Sequence, residues 1–123
     1  MAKLSYCTVG SNRLEDAKAF YDALLGSIGM TPRFEHPSGG RLYSGDAGMF
    51  GVVGAFDGKP ATVGNGTMIA FSLDSRAEVD AFYAKAIELG GTDDGAPGER
   101  APGVYFSYFR DLDGNKLCAY IFG

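Results

Sequence analysis

The chain has 123 residues, 46% hydrophobic and 21% charged, the composition of one ordinary globular domain with a core of its own. Its formal net charge of −4, with no basic run anywhere, removes the positive field by which nucleic acids and anionic membranes are commonly held. No apolar run approaches the roughly 20 residues that span a bilayer, the first residues show no signal-peptide pattern, and Cys7 and Cys118 alone do not make a disulfide scaffold. The expectation is a cytoplasmic protein with no nucleic-acid and no membrane partner.

Residues 4–9 read as a strand, followed by a helix over about 13–27. Asn12 offers its N-cap, with Glu15 three residues on where a capping box places it. Leu14, Ala17, Phe20, Tyr21, Leu24 and Leu25 fall at spacings of three and four, one face of that helix, and Gly29 stops it. A strand over 30–35 carries Pro32 and so belongs at a sheet edge. A turn at 37–40 leads to strands over 41–44 and 47–56, then a turn at 57–60 and a linker to 66. A strand over 67–73 follows, then a helix to about 89 that opens on a Ser75–Glu78 capping-box pattern. The chain closes with a strand over 92–96, a Gly/Pro-rich loop over 97–103, and a hairpin over 105–122. Asp113-Gly114 supplies the residues of the hairpin turn that adopt positive φ cheaply.

The second half copies the first. Ala19-Phe20-Tyr21 recurs as Ala81-Phe82-Tyr83 and Gly29 as Gly91, each shifted by 62 residues. Each half reads strand, helix, strand, strand, strand, with a boundary between module one at about 1–60 and module two at about 65–123. The fold class is α+β: two tandem modules forming a curved mixed sheet around a cleft, helices on the outer face. Strand alternation assigns the faces. Ile69, Phe71 and Leu73 form the apolar set turned to the helices, which leaves Met68 and Ser72 for the cleft. The repeat places Tyr6, and with it Thr8, on the same side, and the last strand gives Cys118, Tyr120 and Phe122. The predicted ligand cleft is thus Tyr6, Thr8, Met68, Cys118, Tyr120 and Phe122.

Three stretches carry a resemblance to a known family: 14–21, LEDAKAFY; 64–71, GNGTMIAF; and 110–117, RDLDGNKL. In this order and spacing they are similar to the vicinal oxygen chelate superfamily, which includes glyoxalase I, bleomycin and fosfomycin resistance proteins and extradiol dioxygenases. The resemblance covers essentially the whole chain and implies paired βαβββ modules assembled as a homodimer. It also implies a divalent metal, held by His on the first strand, His or Gln at the matching place in the second module, and Glu on the last strand. The metal chelates two adjacent substrate oxygens and stabilises the anion that forms.

Residue by residue the chain departs from that pattern. The three positions are Tyr6, Met68 and Cys118, and residues 47–56 hold no substitute ligand. Phenol and thioether are poor donors to hard or borderline divalent ions. The expectation is therefore no cofactor and no metal at the usual positions, with a divalent metal left open only at a displaced site. Tyr6 and Cys118 remain the candidate catalytic residues, Tyr6 as a general acid and Cys118 as a nucleophile with Lys116 two residues away to lower its pKa. Their plainer readings are cleft filler and a small buried hydrophobe. His36 reads as a surface turn residue, and Arg41, Tyr43 and Arg110 as a rim able to meet an anion or as a solvated strand face. Three functions follow: a metal-independent binder of a small organic molecule; an enzyme similar to lactoylglutathione lyase, working with a displaced metal or none; and a protein with a filled cleft that acts through its dimer surface.

Overall fold

The computed structural model describes all 123 residues. They divide into two compact units, Met1–Val63 and Gly64–Gly123. The first contains β1 (Tyr6–Gly10), α1 (Leu14–Gly26), β2 (Thr31–Glu35), β3 (Arg41–Ser44) and β4 (Met49–Val53). The second contains β5 (Ile69–Ser72), α2 (Arg76–Glu88), β6 (Thr92–Ala101), β7 (Val104–Arg110) and β8 (Lys116–Phe122). Each unit has its own four-stranded mixed sheet, in the orders β1-β4-β3-β2 and β5-β8-β7-β6. In both, the first strand is parallel to the last and the other pairs are antiparallel. The helix carries the chain to the far edge, and two tight returns bring it back beside the first strand. These are two βαβββ modules, the expected α+β architecture. No helix is long and apolar enough to cross a membrane.

The buried helix faces follow spacings of three and four, with Leu14 in α1 and Tyr83 in α2 half-buried and Ile87 exposed. α1 buries Ala17, Phe20, Tyr21, Leu24 and Leu25, and Tyr21 meets Phe50 of β4 at 4.9 Å and Tyr43 of β3 at 6.4 Å between ring centroids. α2 buries Val79, Phe82 and Ala86, and Phe82 lies 5.6 Å from Phe71 of β5 and 5.7 Å from Phe109 of β7. Each such buried ring contributes on the order of 1.5–3 kcal/mol. Because strand residues alternate, these contacts fix the opposite faces. Tyr6 and Thr8 of β1, and Cys118, Tyr120 and Phe122 of β8, point away from their own module's helix.

The helix starts differ from each other. In α2 the predicted cap is formed, Ser75 Oγ accepting the Glu78 backbone N–H at 3.1 Å, while Glu78 Oε2 reaches back one residue past the N-cap and accepts the Asp74 N–H at 3.1 Å. In α1 the predicted cap is replaced. Arg13 occupies the N-cap position without a side-chain bond, and Ser11 Oγ accepts the Arg13 N–H at 3.0 Å. Asn12 turns instead to Ala61, accepting its N–H at 2.7 Å and donating to its carbonyl at 3.0 Å.

The end of the chain holds two further corrections. β6 runs on to Ala101, where a loop was expected from 97. Its register against β7 breaks on both sides of Gly95 and again after Glu99. As an edge strand with bulges it accommodates Pro97 without breaking an interior ladder. In the β7–β8 turn only Gly114 has positive φ (91°), and Asp113 does not. Asp111 builds this turn. Its Oδ1 accepts the N–H groups of Asp113 and Asn115, both at 2.9 Å, and its Oδ2 accepts Asn115 Nδ2 at 2.9 Å. That network is the physical content of the RDLDGN pattern.

Candidate functional site

A groove of about 1010 Å³ opens on the helix-free face of the first module. Tyr6 and Thr8 of β1 and Leu42 of β3 line it from the sheet. The β2–β3 turn (36–38) and a strap at 53–62 complete the lining. Two devices hold the surroundings in place. The Asn12–Ala61 pair pins the strap to the end of β1. Ser38 Oγ accepts the Gly54 N–H at 2.9 Å and lies 2.8 Å from His36 Nδ1, tying the turn to the strap. Ser38 N–H also donates to Nδ1 at 3.2 Å, which makes that nitrogen an acceptor and puts the neutral ring's proton on Nε2. His36 is thus a groove-lining residue rather than a plain surface turn residue. Residue spacing along the chain carried no sign of this, because the turn and the strap meet only in the fold.

In the second module the helix-free face of the sheet is aromatic. Phe106 of β7 and Tyr120 of β8 are register partners, with stacked rings 4.8 Å apart and 15° from parallel. Tyr108 lies 6.1 Å from Phe106, and Phe122 packs edge-on against Tyr120 at 5.3 Å. Tyr120 and Phe122 were expected on this face; Phe106 and Tyr108 were not singled out, although antiparallel pairing with Tyr120 and Cys118 puts them there.

The remaining predicted site residues occupy different environments. Tyr6 is 56% exposed, Met68 41% and Phe122 68%. Cys118 has no accessible surface at all. Burial pushes its thiol up to about 11, and the nearby charges of Lys116 and Arg100 only partly oppose that. The nucleophile reading needs a thiolate, and this thiol is held protonated and covered. Cys7 and Cys118 are both free.

The residues read as an anion-meeting rim or a solvated strand face are paired within the chain, and Tyr43 is fully buried rather than solvated. Arg41 binds Asp22 and Glu35, each at 2.7 Å. The Tyr43 hydroxyl donates to Asp22 Oδ1 at 2.6 Å, and burial followed by that bond raises its pKa. Arg110 pairs with Asp94 at 3.1 Å and donates to the Gly114 carbonyl at 3.0 Å.

Residues 3–119 match the family model of the Glyoxalase/Bleomycin resistance protein/Dioxygenase superfamily. The chain belongs to this superfamily. It is similar to a glyoxalase/bleomycin resistance protein from Albidiferax ferrireducens T118, with 44% identity over 95% of this chain and 96% of that one and a TM-score of 0.86. A glyoxalase/bleomycin resistance protein/dioxygenase family enzyme from Burkholderia phytofirmans PsJN shares the fold at 20% identity, covering 99% and 100% of the two chains with a TM-score of 0.78. So does a lactoylglutathione lyase from Agrobacterium tumefaciens, at 20% identity, 98% and 93% coverage and a TM-score of 0.72. No curated protein matches the sequence.

Against the metal site that the superfamily resemblance implies, the donors do not fit. Tyr6 and Met68 present a phenol and a thioether, and the position for the anchoring carboxylate is the buried Cys118 thiol. No group of three or more His, Cys, Asp or Glu side chains is placed to hold a metal ion.

Proposed function

We propose that this member of the glyoxalase/bleomycin resistance superfamily binds a small organic molecule, and does so without a divalent metal at Tyr6, Met68 and Cys118. The observation that carries the reading is Cys118. Where the superfamily's last strand would present a carboxylate to a metal, this chain has a thiol with no accessible surface and a pKa raised to about 11. The groove over β1 and β3 supports binding, since its volume suits a ligand of drug size and its lining mixes apolar walls with the Thr8 hydroxyl and the His36 imidazole. The exposed ring of Tyr6 in that lining adds surface that a ring-containing ligand covers favourably. The chain acts in this reading as a homodimer, as the superfamily resemblance implies.

The test is a thermal-shift and calorimetric screen of uncharged and charged ring compounds against the chelator-treated protein, with turnover of the hemithioacetal of methylglyoxal and glutathione as the counter-assay. Ligands that bind after chelation, with no turnover, are expected. Turnover restored by zinc or nickel would replace this reading by the lyase one.

A further inference from the structure

We propose that the aromatic face of the second module takes a planar aromatic carboxylate, with its ring on the Phe106–Tyr120 pair and its carboxylate on Arg100. This rests on the small-molecule reading above and adds a site and a charge to it. Arg100, near the end of β6, folds back so that its guanidinium carbon lies 5.6 Å over the Tyr108 ring. Two glycines make that path possible. A Cβ on Gly98 would come within 2.9 Å of Arg100 Nη1, and one on Gly95 within 2.9 Å of Tyr108 Cδ2 and 3.4 Å of Arg100 Nη2. A side chain at Gly98 would displace the guanidinium from its present place, and one at Gly95 would crowd the Tyr108 ring beneath it.

The charge of Arg100 is uncompensated. Its side chain donates to the Ala96 carbonyl at 2.9 Å and forms no ion pair, whereas Arg13, Arg41, Arg76 and Arg110 each hold a carboxylate. Arg33 also lacks one, but it is exposed on the edge strand β2 of the other module. The other cation over Tyr108, Lys116 at 5.0 Å, shares Asp94 with Arg110. Arg100 therefore stands as a planar donor fork over Tyr108, whose ring lies 6.1 Å from Phe106 of the stacked pair, with most of its five N–H groups unused. A carboxylate receives that fork in two parallel bonds, while the attached ring lies over the neighbouring aromatic surface.

The experiment is titration of the full chain with 2-naphthoate and its uncharged isostere 2-naphthamide, followed by calorimetry and by amide chemical shifts. Shifts are expected at Phe106, Tyr108 and Tyr120, with naphthoate the tighter ligand. Arg100→Gln should weaken naphthoate by about 10-fold, the worth of a charge-assisted pair, and change naphthamide by less than about 2-fold, since stacking is retained. Arg100→Lys, which keeps the charge and loses the fork, should fall between. Equal losses for both probes, or none, would overturn the role of Arg100 while leaving small-molecule binding intact. Shifts confined to Tyr6, Thr8 and the 53–62 strap would move the ligand to the other module and refute this site alone. Failure of both probes to bind, with stoichiometric zinc taken up instead, would overturn the site and the broader reading together.

Discussion

Replacing Cys7 by serine leaves Cys118 as the sole thiol, and its reactivity can be forecast from its surroundings. Burial carries its pKa from an ordinary 9.0 to about 11. Near pH 7 the thiolate fraction is then about 1 in 10,000, against about 1 in 100 for an unperturbed group, so ionisation alone slows alkylation about 100-fold. Access adds to this, because a side chain with no accessible surface reacts only when β8 opens locally. Iodoacetamide labelling of Cys7→Ser, native and in guanidinium, reads the ratio directly. We expect native labelling at least about 100-fold slower than denatured, rising with pH and without a plateau through the neutral range. A native rate within about 10-fold of the denatured one, or a plateau below about pH 9, would show an accessible, activated thiolate and would refute the reasoning.

Restoring a carboxylate to the last strand does not restore a metal site. Cys118→Glu forces a larger, charged side chain into a position with no accessible surface, with Lys116 and Arg100 offsetting only part of the loss, and should cost about 1–3 kcal/mol in thermal or denaturant unfolding; an unchanged Tm with stoichiometric zinc bound would contradict this. Asn12→Ala removes both bonds to Ala61 and should cost about 1 kcal/mol, because the freed groups are exposed and water replaces part of the loss. Amide exchange at Ala61 should quicken in that variant, and unchanged protection would show that the strap is held by something else. The bond from Arg41 lowers the Glu35 carboxyl below 4.5, and the bond from Tyr83 lowers Asp93 below 3.8. Between the folded and unfolded values the unfolded chain binds more protons. The stabilisation is therefore complete above about pH 4.5 and lost as pH falls through the depressed folded values. Denaturant midpoints should fall across that window, with the fall reduced in Glu35→Gln; midpoints that hold or rise on acidification would contradict it.

The fold was readable wherever local chemistry and tertiary packing agree. Of the Ala-Phe-Tyr copies, Phe20 and Phe82 are buried in both modules because apolar periodicity reports the face that packs, while Ala19 and Ala81 are exposed and Tyr83 is half-buried. Ser75 caps α2 because nothing competes for its hydroxyl. Asn12 shows the limit. It has the residue type and spacing of a cap, yet Ala61, 49 positions away, takes its side chain. β6 looked like a loop after 96 because glycine and proline punctuate most segments, while a bulged edge strand tolerates both. Alternation assigned Cys118 to the right sheet face. It could not show that Lys116, Tyr120 and the cross-strand Tyr108, all larger and on the same face, leave the thiol no exposure. His36 reads from sequence as a surface turn residue, and Arg100 has no signal there, because the role of each depends on residues brought together by the fold: Ser38 with Gly54, and Gly95 and Gly98 with Tyr108.

Native mass spectrometry of the protein, purified without chelator and exchanged into a volatile buffer, bears most directly on metal-free binding. The account predicts the mass of the chain without a divalent ion, and retention of added ring compounds whether or not a chelator is present. A stoichiometric divalent metal on every chain, with ligand retention lost when it is stripped, would contradict it.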